Sequence, residues 1–424
     1  MGALISAPLS GAGTCLGGCF GSCLATGCCK LAGSGTVSSA QASRFVLIWL
    51  QVFITVLAVF LAATAEQWLP WTCGKLDVVG MGELGVCSCK SDSKCWFDQL
   101  IYRTEASGVA VFVALIIMSV SGCAEGAARA YSVAKFMAVV VLVFISLFLP
   151  NKVWTDFGSW ATALSAIYLI AQSIVLIDFG YTWNEIWYKN ALEANRRQAG
   201  SKGYRLWLGG MLLSSAALVL GALSMSIYLF VDFQDASSRA VNACAMILSI
   251  VLLVVSITDW CEHGALLTSA VVMAYTIWLI CESLAVSPYE TLKLPTWAGL
   301  LLCFFSLFST VLGSGFGGQE TSAHSGPPAR APALMEVEAG EGASAAATTT
   351  QPEEASSPRM TSSEAWQFAA YCVIHAAAAL YVASSLAART GPTTYALRVS
   401  AVFLSLALYG WSLIAPKVLT NRRF

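Results

Sequence analysis

The stretch 171–190, AQSIVLIDFGYTWNEIWYKN, opens as an apolar membrane-spanning run and places Asp178 before that run has finished. Thr182, Asn184 and Glu185 follow it, set among the aromatics Tyr181, Trp183 and Trp187. Extended back to Phe157, the run covers about 30 residues, or about 45 Å as a helix, against about 30 Å of bilayer hydrocarbon. It contains no Pro, so a strong tilt is expected rather than a kink. At helical spacing Asp178, Thr182, Glu185 and Lys189 fall at i, i+4, i+7 and i+11. They form one polar stripe, and Trp183 and Trp187 form an aromatic edge beside it.

The rest of the chain has the same character. Of 424 residues 57% are hydrophobic and 11% charged, and the mean hydropathy is +0.70. A soluble protein carries about 25% charged residues, so the excess apolar surface requires lipid. The net charge of -1 gives no basic field for a nucleic acid. Ten stretches reach or approach the roughly 20 residues of a transmembrane helix: 44–64, 100–122, 131–149, 157–187, 205–231, 239–258, 264–285, 295–315, 364–388 and 394–415. The third is the shortest. The expected fold is an all-α polytopic membrane protein. Its expected parts are a Cys-rich segment 1–43, spans one to eight over 44–315 with an outer loop at 65–99, a disordered loop at 316–363, and spans nine and ten over 364–424.

An even number of spans puts both termini on one side. Lys189, Arg196, Arg197, Lys202 and Arg205 follow the fourth span, and Lys417, Arg422 and Arg423 close the chain. Positive charge of this kind is retained in the cytosol, which makes both termini cytosolic and the 65–99 loop external. Lys75, Lys90 and Lys94 in that loop weigh against this orientation.

The cysteines agree with it. Cys73, Cys87, Cys89 and Cys95 share the outer loop, where an oxidising compartment allows two disulfides in any of three connectivities. Zinc is the competing reading, but CSCKSDSKC lacks the paired CxxC spacing of structural zinc modules. Near the N-terminus Cys15, Cys19 and Cys23 recur every four residues and Cys28 and Cys29 follow. These are lipidation candidates together with Gly2, because MGALIS fits the myristoylation pattern. The alternative is small residues packing a Gly-rich segment.

The 316–363 segment is rich in Gly, Ala, Pro, Ser, Thr and Glu and cannot bury a core. Small residues four apart, Gly210 with Ser214, Ala217 with Gly221 and Ala379 with Ala383, mark expected helix contacts. Charged residues within the spans are few. Glu105 stands beside Arg103, so a local ion pair or snorkelling accounts for it. Glu282 lies near an outer helix end, and His375 among alanines reads as a packing residue.

Catalytic apparatus is missing from the sequence. There is no Asp array of the kind that CDP-alcohol phosphotransferases use for metal, no GxxxxGK[ST] loop and no GxSxG elbow. The histidines are His263, His324 and His375, too few and too scattered for a cluster. No enzyme, cofactor or metal site is therefore expected. The polar stripe reads either as a groove for a lipid head group or small amino acid, or as an interfacial belt whose carboxylates pair with basic neighbours. The groove candidates are Asp178, Thr182, Trp183, Asn184, Glu185 and Trp187, with Tyr275 and Ser283 of the seventh span.

LIAQSIVLIDFGYTWNEIWYKN closely resembles the most characteristic segment of the serine incorporator (Serinc, or TMS) family. Other blocks agree in the same order: the Cys28–Cys29 pair, LIYR at 100–103, FLP at 148–150, GALLTSAVVMAYTIWLICESLAVSP at 264–288 and LYGWSLIAP at 408–416. A departure is FGYTW, where many relatives carry a His, so no role for an imidazole is carried over. The resemblance implies a eukaryotic endomembrane or plasma-membrane protein with ten helices in two bundles joined by a long tilted helix. It implies either lipid scrambling without catalysis, or delivery of serine to phosphatidylserine and sphingolipid synthases. Membrane phospholipids are the expected partners, with serine, a lipid synthase or a second copy of the chain as further ones.

Overall fold

The computed structural model describes residues 39–78, 85–89, 92–123, 132–197, 202–258, 265–288, 296–316, 362–387 and 391–418. The N-terminal cysteines, Gly2, His263, His324 and nearly all of the 316–363 segment lie outside them. Among the described residues every regular element is helical. The α-helices are α1 (Ser39–Ala63), α2 (Ala65–Val78), α3 (Ser93–Met118), α4 (Ser132–Ser146), α5 (Asn151–Arg197), α6 (Lys202–Asp232), α7 (Ala236–Ser256), α8 (Leu266–Ala285), α9 (Thr296–Phe316), α10 (Ser362–Leu386) and α11 (Pro392–Val418). Among the described residues eight helices are long and apolar enough to cross a membrane, and Val133–Ser146 and Ala298–Ser309 are shorter apolar stretches. The ten expected spans all map onto helices.

The expected fourth span, 157–187, lies within the 47-residue helix α5, about 70 Å long, more than twice the hydrocarbon thickness. Its two ends are polar, beginning NKVWTD and finishing KNALEANRR. The expected outer region 65–99 contains α2 and a 3-10 turn at Gly85–Cys89.

The helices form two groups. In the first, α1, α3, α4 and α10 pack together, and in the second α6, α7, α8 and α11 do so. Helix α5 touches α3 and α10 of the first and α6, α8 and α11 of the second, and α9 lies against α1, α5 and α10. Leu47, Leu50, Ile54, Phe112, Val139 and Cys372 fill the core of the first group. The second core runs through Tyr168, Leu176, Met246, Ile280, Val402 and Tyr409. Apolar residues also cover the exterior, such as Leu213 and Leu220 of α6, which is what a lipid-facing surface requires.

Many hydroxyls buried in these helices bond to their own backbone. Thr104 donates to the Leu100 carbonyl (2.8 Å) and Ser107 to that of Arg103 (2.7 Å). No water or lipid is then needed to satisfy them.

The expected small-residue contacts divide. Ala379 and Ala383 are fully buried. A Cβ on Gly210 would sit 3.0 Å from the Trp187 ring, so that glycine lets α6 approach α5. Ala217 and Gly221 instead face outward, and nothing lies within 4 Å of a Cβ at Gly221.

Both disulfides form where the sequence grouped the cysteines, as Cys73–Cys87 and Cys89–Cys95. They tie α2, the 3-10 turn and the start of α3 into a cap around Leu69, Val86, Trp96 and Leu100. Gly85 sits at φ +60°, a conformation that favours glycine, and a Cβ there would strike the Leu147 carbonyl. The Val86 amide donates to that carbonyl (3.2 Å), docking the cap on the turn between α4 and α5.

Candidate functional site

Along α5 one face stays turned outward. Ile167 and Ile174 are exposed on it, followed by Asp178, Glu185 and Lys189, with Thr182 and Asn184 half-buried. The spacing read from the sequence therefore does place the carboxylates on one exterior face, apolar toward the middle of the helix and polar toward its end. Glu185 and Lys189 form an ion pair at 3.0 Å, with side chains 64% and 53% exposed. A pair that exposed contributes little to stability. Asp178 has neither a hydrogen bond nor an ion pair among the described residues, so its carboxylate is available to something outside the fold.

Beside the stripe runs a ladder of rings. Phe179 lies 5.6 Å from Trp183 between centroids, and Trp183 lies 5.5 Å from Trp187. Trp187 continues the row to Trp207 of α6 at 5.8 Å, and Phe305 of α9 meets Phe179 at 5.0 Å. Spacing of four on α5 stacks the first three, and α6 and α9 extend the row at its two ends. Amphipathic rings of this kind favour the headgroup region of a bilayer.

Tyr275 and Ser283 do not join this face. Tyr275 is buried, and its hydroxyl donates to the Leu169 carbonyl (3.0 Å) and to Gln172 Oε1 (3.3 Å). It thus fastens α8 to α5. Ser283 is buried and donates to the carbonyl of Ile280 in its own helix (2.7 Å).

A polar centre that sequence reasoning missed lies between α8, α9, α10 and α11. Arg398 Nη1 is 2.8 Å from Glu282 Oε2, and both side chains are buried. The same nitrogen donates to the Glu282 carbonyl (3.1 Å), and the Tyr381 hydroxyl donates to Glu282 Oε1 (2.6 Å). Gly299 leaves the room: a Cβ there would stand 2.9 Å from Glu282 Oε1 and 3.1 Å from the Tyr381 hydroxyl. The Tyr168 ring lies 5.1 Å from that of Tyr381, and its hydroxyl is 3.1 Å from Ser306 Oγ. The available signal was an arginine inside an apolar run, since opposite charges in spans find each other.

Arg103 and Glu105 are not paired, and Glu105 is fully buried, so neither the expected local ion pair nor snorkelling accounts for it. Arg103 reaches the carbonyls of Ser146 and Leu149 (3.0 Å for the latter) and Asn151 Oδ1 (2.6 Å) at the turn between α4 and α5. Residues two apart on a helix point to different faces. His375 packs as expected, with Nδ1 2.8 Å from the Tyr371 carbonyl and its ring 5.6 Å from Phe112. Among the described residues no three His, Cys, Asp or Glu side chains are grouped to hold a metal.

Long apolar helices in two groups about one extended helix define a polytopic helical membrane protein. A family model described as serine incorporator (Serinc) matches residues 17–422, and the chain belongs to that family. It is 22% identical to membrane protein TMS1 of Saccharomyces cerevisiae over 307 residues, covering 70% of this chain and 60% of the yeast protein. It is 23% identical over 271 residues to a probable serine incorporator of Dictyostelium discoideum, covering 60% of each chain. Mouse serine incorporator 2 is 22% identical over 472 residues, covering 97% of this chain and 100% of the mouse protein. The matches to the yeast and Dictyostelium proteins thus span about three-fifths of those relatives' own length.

Proposed function

We propose that the chain moves phospholipids between leaflets without catalysis, with the outward stripe of α5 as the track for the head group. The observation that carries this reading is Asp178: a carboxylate on the exposed face of a membrane helix, unpaired among the described residues. A zwitterionic head group offers an ammonium to Asp178 and Glu185 and a phosphate to Lys189. The acyl chains stay against Ile167, Ile174 and the neighbouring hydrocarbon. The aromatic ladder bounds the stripe on one side. Both termini are cytosolic in this proposal, and the disulfide cap faces the opposite compartment.

The test is reconstitution of the purified chain into liposomes carrying a fluorescent phospholipid, followed by chemical bleaching from outside. Bleaching beyond the outer-leaflet fraction supports the reading, and protection equal to that in empty vesicles refutes it.

The names of the relatives favour a second reading, in which serine is held for lipid synthases. It requires saturable serine binding by the purified chain or a stable complex with a synthase. Finding neither would set it aside.

A further inference from the structure

We infer that Glu105 and Gln51 form a proton-binding site at the contact of α1 and α3: a neutral carboxylic acid closed in a ring with a primary amide. Gln51 lies midway along α1 and is fully buried, as is Glu105. Gln51 Nε2 is 3.5 Å from Glu105 Oε2 and 3.5 Å from Thr55 Oγ1. The Thr55 hydroxyl also faces the Glu105 carboxyl, yet two oxygens, Gln51 Oε1 and Glu105 Oε1, have no hydrogen-bond partner. Both are acceptors when the acid is ionised, so the pair lacks one hydrogen.

A single proton on Glu105 Oε1 supplies it. That O–H donates to Gln51 Oε1 while the Gln51 amide donates to Glu105 Oε2, so one proton satisfies both orphaned atoms. An ionised carboxylate here would be a buried charge without a counter-ion, which costs several kcal/mol.

The surroundings offer no substitute cation. Arg103 is committed to the α4–α5 turn. Among the titratable groups on the neighbouring helices are Lys135 of α4, Tyr168 of α5, Cys303 of α9, and Cys372, His375 and Tyr381 of α10. Lys135 lies by the Phe368 ring at 6.0 Å, and His375 is held by Tyr371. Tyr168 is engaged with Ser306 and Tyr381 with Glu282. Among the described residues no base stands within ion-pair distance of Glu105.

When the proton leaves, it goes to solvent and a bare carboxylate remains between α1 and α3. The contact therefore holds in the protonated state and is opposed in the ionised one. The site is independent of the α5 stripe.

Infrared spectroscopy of the intact chain reads this directly. The protonated-carboxyl stretching band is expected to be lost in Glu105→Gln, and to shift in Gln51→Leu because the acid loses its acceptor. Glu105→Gln should leave the thermal midpoint unchanged, because a neutral amide replaces a neutral acid, whereas Glu105→Ala should lower it. Three results would each overturn the inference: an unchanged carboxyl band in Glu105→Gln with loss of an ionised carboxylate band, no band shift in Gln51→Leu, or a Glu105→Gln midpoint as low as that of Glu105→Ala.

Discussion

Arg398 Nη1 stands 2.8 Å from Glu282 Oε2 across the α8–α11 contact, and neither residue is more than 5% exposed. Tyr381 completes the carboxylate from α10. The three residues lock helices 99 and 116 positions apart in the chain. Replacing Arg398 alone by Leu should cost about 3–5 kcal/mol, because Glu282 would be left as an uncompensated buried charge. The double change Arg398→Leu with Glu282→Gln should recover most of that loss. Denaturation of the detergent-solubilised chain checks it, and equal losses for the single and double variants would contradict it.

The cap offers a second test. Its two disulfides close segments of different length, with sequence separations of 14 for Cys73–Cys87 and 6 for Cys89–Cys95. Replacing both cysteines of the longer loop by Ser should lower stability by about 3 kcal/mol, and the shorter loop should cost less. Thermal midpoints of the two double variants give the order.

Close approach of α5 and α6 rests on Gly210 beside the Trp187 ring. Gly210→Leu should destabilise the chain by about 1–3 kcal/mol through overpacking. Trp187→Ala in the same chain should relieve part of that penalty. Additive losses in a double-mutant cycle would show that the two positions do not meet.

What was legible in the sequence follows from range. Apolar runs about 20 residues long report the hydrocarbon they cross, so the eight membrane-length helices and the two shorter apolar ones among the described residues could be read. The polar stripe on α5 could be read too, because helical periodicity is local. The partner of Glu282 could not, since Arg398 lies 116 positions away and only the packing of α8 on α11 brings it close. Arg103 and Glu105 stand two apart on one helix, and nearness in sequence does not place them on one face. The ends of α5 escaped because hydropathy reports where lipid is, and a helix that outruns the bilayer carries polar residues at both ends. Tyr275 and Ser283 are buried, and their hydroxyls donate to helix backbone carbonyls, an arrangement that only the packed structure displays.

On the exterior of α5, Asp178→Ala is expected to slow lipid equilibration several-fold without lowering the thermal midpoint, because the carboxylate has no partner in the fold. Glu185→Gln should have a smaller effect, since Glu185 already shares its charge with Lys189 at 3.0 Å. Initial rates of both variants, at matched protein density in the same vesicles, give the comparison.

The most direct measurement is the fraction of fluorescent phospholipid bleached from outside in liposomes holding the wild-type chain, compared with Asp178→Ala and with empty vesicles. The account predicts bleaching well beyond the outer leaflet for the wild type, reached several-fold more slowly with Asp178→Ala. Wild-type vesicles that stop at the empty-vesicle fraction, or an Asp178→Ala chain as fast as the wild type, would contradict it.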